Sequence, residues 1–81
     1  MNYQIVLSNI EEALEELERI RDKVNSKNID DVEFKIALQH VYHHLNFSWN
    51  VRNQKTEKYE NLTDDEFIKW GKYPLDLDLD E

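Results

Sequence analysis

The sequence predicts an all-α domain: an antiparallel hairpin of two long helices with a short third helix packed across it. Three observations lead there. Two long stretches carry apolar residues at spacings of three and four. A short polar break near residues 25–30 separates them. The 81 residues include one glycine and one proline, too little punctuation for a many-stranded fold.

The first helix is expected from about residue 2 to 25. Val6, Ile10, Ala13, Leu17, Ile20 and Val24 form its stripe, and Leu7 and Leu14 widen it. At about 100° per residue this apolar set spans an arc of roughly 140°. Glu11, Glu12, Glu15, Glu16, Glu18, Arg19 and Asp22 read as a solvated face. Ser8 and Glu11 match a capping box that would start the helix at residue 9. Tyr3 and Val6 continue the stripe upstream and favour the earlier start.

Asn25, Ser26 and Asn28 suit a stop and a turn. Asp30 then caps a second helix over about 31–53, with Glu33 at the capping-box position. Its main stripe is Phe34, Leu38, Val41, Leu45 and Trp49. Ile36, His40, His43, His44, Phe47 and Val51 form an adjoining side, and the strictly polar strip is narrow. The apolar or semi-polar arc is roughly 240° wide, so this helix needs neighbours on two sides. The first helix covers only one. The side of His40, His43, Phe47 and Val51 is therefore expected to face either the third helix or a second subunit, and is the expected interaction surface.

Residues 52–62 read as a polar connector with helical character at Tyr59. The third helix, about 63–70, has Thr63 as cap, Glu66 closing the box, and Asp64 and Asp65 in its first turn. Phe67, Ile68 and Trp70 supply its buried edge. Gly71 and Pro74 end it. Residues 1–74 thus form one domain, and 75–81 an acidic flexible tail.

The formal charge is −8, from 18 acidic and 10 basic residues. Asp76, Asp78, Asp80 and Glu81 carry half of it. An acidic body disfavours nucleic acid and anionic membrane, because both are bound through clustered Lys and Arg. No signal peptide or membrane span is read, so a cytoplasmic location is expected. With no cysteine, neither disulfides nor thiolate zinc sites reinforce this small core. Burial between subunits remains as a source of extra core, and a homodimer forming a helical bundle is expected.

Three functional readings follow. The first is a non-enzymatic protein–protein interaction module without cofactor, catalytic residue or metal. Ser48 stands four residues after His44, but mid-helix amides offer no oxyanion hole. Asn46 and Asn50 are placed to donate hydrogen bonds across a helix seam. The second is a metal- or small-ligand-binding protein. His40 and His44 share a helix face at a chelating spacing, with Glu33 two turns upstream. The third is an acidic inhibitor of the immunity-protein kind, blocking a basic partner.

Overall fold

The computed structural model describes residues 1–77. Its elements are α1 (Tyr3–Asn25), α2 (Asp31–Asn50), α3 (Thr56–Glu60), α4 (Asp64–Trp70) and a 3-10 turn at Leu75–Leu77. The described residues contain no strand. The two long helices pack against each other as an antiparallel hairpin, and α4 packs on α2.

Helix α1 starts early, as its stripe requires. The Asn2 side chain accepts from the Ile5 amide, which makes Asn2 the N-cap. Asn2 also donates to the Gln54 carbonyl at 3.0 Å and to the Thr56 hydroxyl at 3.2 Å, tying the chain's start to the connector. At the other end the Lys27 amide bonds to Val24 O and the Asn28 amide to Lys23 O. Lys27 holds a left-handed φ of 57°. This is a Schellman ending with lysine where glycine is usual.

Asp30 caps α2, accepting from the Glu33 amide at 2.8 Å. The Glu33 carboxylate turns instead to Lys23, pinning the hairpin at its turn. Helix α2 stops at Asn50, three residues earlier than its apolar pattern suggests, and residues 51–53 form a turn. That turn redirects the chain, and the polar connector forms α3. Helix α4 carries the full capping box between Thr63 and Glu66. Lys58 of α3 pairs with Glu66 at 2.6 Å, joining the two short helices.

The core is small and divided. Ala13 and Ile20 of α1 meet Ala37 and Val41 of α2, with Leu38 alongside. Ile5, Phe47 and Val51 form a second cluster, closed by Tyr59, Leu62 and Trp70. The radius of gyration is 14.3 Å, against about 12 Å for a typical compact chain of this length. Most of the molecule is therefore one layer of two helices, with the short helices covering part of one side.

The line along which α1 meets α2 is not the centre of its apolar stripe. Ile5, Asn9, Ala13, Glu16 and Ile20 lie on it, whereas Leu7, Leu14, Leu17 and Val24 are exposed. Successive residues stand about 100° apart, so the stripe is turned by roughly a quarter circle from its neighbour. Helix α2 shows the same offset: Phe34, Tyr42 and Leu45 of its apolar side stay exposed while Ala37 and Val41 are buried.

Candidate functional site

The expected interaction surface is placed largely inside the chain. Val51 is 0 % exposed and Phe47 2 %, so neither is open to a second molecule in this fold. Of the two neighbours considered for this side of α2, the structure supplies the chain's own short helices. His43 lies between Phe47, at 4.5 Å between ring centroids, and Phe67, at 5.0 Å. A Cβ built on Gly71 would stand 3.1 Å from His43 Nδ1, so glycine there admits the close approach of α4. Asn46 donates to the Gly71 carbonyl at 2.8 Å, and Asn50 to the carbonyls of Trp70 at 2.8 Å and Lys72 at 3.0 Å. Two asparagines thus satisfy carbonyls that the end of α4 leaves free.

His40 and His44 lie nearer α1. Their Nε2 atoms face each other at 3.1 Å. His44 Nδ1 is 3.0 Å from Asn9 Oδ1, and His40 Nδ1 is 3.4 Å from Glu16 Oε2. Asn9, 2 % exposed, donates its amide to the Ile5 carbonyl at 3.0 Å and to the Tyr59 hydroxyl at 3.2 Å. Glu16 is no part of a solvated face: its side chain is 14 % exposed and held between Arg19 and His40. The Arg19 hydrogen bond keeps the Glu16 carboxyl below its ordinary range, against the opposing effect of burial, and His40 adds a smaller pull. Burial lowers the pKa of His44, as does the charge of His40. Burial also lowers that of His43, reinforced by His44 and His40.

The third metal candidate from the sequence does not join this pair. Glu33 is seven residues from His40, about 10 Å along the helix, and its carboxylate holds Lys23. Among the described residues no group of three or more His, Cys, Asp or Glu is arranged to hold a metal ion. Ser48 donates to the Leu45 carbonyl of its own helix at 2.6 Å rather than to His44, so no nucleophile–base pair forms there.

The opposite side of the hairpin is apolar and open. Leu7, Leu14, Leu17 and Val24 of α1 and Phe34, Tyr42 and Leu45 of α2 are exposed, Leu14 by 52 % and Tyr42 by 58 %. Because the helices are antiparallel, the residues that follow the contact line on each turn to the same side of the layer. At one end, Val6, Tyr42, Leu45, Trp49, Tyr73 and Leu77 line a shallow apolar depression. The Arg52 guanidinium stacks on Trp49, 3.7 Å from the ring centroid, and Trp49 Nε1 donates to Asp76 at 3.1 Å. These contacts hold the first residues of the acidic segment, Leu75–Leu77, in a 3-10 turn; the rest of the expected flexible tail, 78–81, lies outside the described residues.

No described helix is long and apolar enough to cross a membrane. No protein-family model matches the chain, and neither a curated protein nor a solved structure is significantly similar to it.

Proposed function

We propose that this chain is a non-enzymatic association module whose open α1–α2 face pairs with a second copy of itself, building a four-helix bundle from two hairpins. One observation carries the reading: the apolar side chains of both long helices that face away from the contact line are left uncovered on one side. On α1 they follow a strict alternation of four and three, through Tyr3, Leu7, Ile10, Leu14, Leu17, Arg21 and Val24. That is the spacing of knobs-into-holes packing between helices. Arg21 is the charged member of this stripe; Glu11 and Glu18, each four residues after a stripe leucine, flank its edge, and Glu15 and Asp22 lie farther round the helix. The carboxylates thus stand at the rim of the face and its centre is apolar.

A two-fold pair needs one self-complementary patch on each copy. Two helices side by side, roughly 30 Å long, offer an area of the order of the 800 Å² per partner that stable interfaces bury. Sedimentation equilibrium tests the reading. A dimer is expected at micromolar concentrations, and the double variant Leu14→Glu, Leu45→Glu is expected to be monomeric with its helical circular dichroism retained. A monomeric parent at high micromolar concentration overturns it.

A further inference from the structure

We infer that His40 and His44 form a two-imidazole site for a divalent late first-row metal ion such as Zn²⁺, bound through both Nε2 atoms. The argument is one of protons. The Asn9 side chain must present NH₂ to the Ile5 carbonyl, which only accepts, so its Oδ1 faces His44. Asn9 Oδ1 also only accepts, so His44 carries its proton on Nδ1. The Glu16 carboxylate, 3.4 Å from His40 Nδ1, is likewise acceptor-only and draws the His40 proton to Nδ1. In the neutral imidazoles both Nε2 atoms then hold bare lone pairs, and these face each other at 3.1 Å. Two lone pairs at that distance call for a cation between them.

A metal ion supplies the cation without adding a proton. Two imidazole nitrogens on a tetrahedral zinc stand about 3.3 Å apart, so a slight rocking of the rings admits the ion. The rest of the arrangement is that of a metal-binding histidine pair: each Nδ1–H is anchored by an oxygen, which fixes the tautomer and raises the basicity of Nε2. The helix supplies the i, i+4 spacing, and α1 supplies both anchors. With two protein ligands, solvent or a ligand atom completes the coordination, and micromolar affinity is expected.

The charged and titratable groups facing the pair are Glu12 and Glu16 of α1, with Arg19 bound to Glu16, and His43 of α2. Protons compete for the same lone pairs, so uptake weakens as pH falls. His40 stands about 140° around α2 from Leu45, so the metal site and the open face lie on different sides of the hairpin.

The test is a Zn²⁺ titration of the full chain followed by ¹⁵N spectra of the histidine rings. Before metal, Nδ1–H tautomers are expected for His40 and His44. One zinc per chain should then shift both Nε2 signals while the Nδ1 protons stay in place. His40→Ala changes a half-exposed side chain, so it should keep the helical spectrum and lose at least tenfold in affinity. The Leu14→Glu, Leu45→Glu variant should bind zinc like the parent, which separates this site from the dimer. Unmoved histidine signals at millimolar zinc, an Nε2–H tautomer of His40, equal affinity in His40→Ala, or loss of binding in the leucine variant overturns the proposal.

Discussion

Helix α2 has two apolar sides, and the molecule treats them differently. One, through His43, Phe47 and Val51, is roofed over its C-terminal half by α3 and α4 of the same chain, while Ile36 upstream stays exposed. The other, through Phe34, Tyr42 and Leu45, joins the exposed leucines of α1 and is bordered at one end only, by Tyr73 and Leu77. The difference lies in the polar residues that accompany each. The roofed side brings donors, Asn46 and Asn50, that meet the free carbonyls at the end of α4. The open side brings almost none. A cover of short helices, rich in unpaired backbone groups at their ends, is tolerated only where such partners exist. Long helices bury their backbone groups within themselves, and an apolar face without donors suits them best.

The largest expected contrast comes from truncating one side chain on each side. Phe47→Ala empties a fully packed site and should cost about 3–5 kcal/mol at any protein concentration. That is a large part of the stability of a domain this size. Leu14→Ala, on the open side, should cost less than about 0.5 kcal/mol in dilute solution, since alanine is as good a helix former as leucine. With a second copy bound, its cost should grow with concentration. Urea unfolding of both variants at two concentrations reads the comparison directly. Equal, concentration-independent costs would erase the distinction between the two sides.

Acid should act on the histidine-bearing side first. His43 and His44 take up a proton less readily in the folded chain than in the unfolded one. Their contribution is fully present above about pH 6.5 and is lost as pH falls from there through the lowered values. The Glu16 carboxyl, shifted down from 4.5, holds its contribution until lower pH. A melting temperature that drops between about pH 7 and pH 5, with a shallower drop in His43→Gln, is the expected result. A flat profile over that interval would count against the assignment.

The smallest of the three effects concerns the roof itself. Asn50→Ala removes donors to Trp70 and Lys72 carbonyls near solvent, so water replaces them. A loss of about 1 kcal/mol is expected, with amide exchange accelerating in α4 but not at the Ala13–Val41 contact. Uniform acceleration across the chain would mean that the short helices are no separate unit.

The hairpin and its ends were legible because their signals are local. Asp30 and Thr63 cap where their side chains can reach the next amides, and no tertiary information is needed. The direction in which each stripe points was not. Apolar spacing shows that a helix has a buried side, but not which neighbour buries it. Asn9 and Glu16 look like solvent-facing residues beside an apolar stripe, yet they stand on the line between the helices. Asn46 and Asn50 were recognised as seam donors; that the seam is with α4 follows from the turn at 51–53, which has no glycine or proline to announce it. The histidine spacing identified a shared face for His40 and His44. The anchors that give the pair its geometry come from another helix, and spacing within one segment carries no trace of them.

Asn9 has a consequence for how the hairpin is aligned. Its one amide joins three elements: its own helix through Ile5, α2 through His44 and α3 through Tyr59. Leucine-like side chains along a helix seam are interchangeable, and a seam made only of them can slip by a turn at little cost. Slipping α1 by a turn would take Asn9 away from His44 and Tyr59, leaving its buried amide with a partner only in its own helix, at a cost of about 1–3 kcal/mol. Asn9, with the Glu16–His40 contact on the same line, thus makes the register of the two long helices a discrete choice, as a buried asparagine does in paired helices generally.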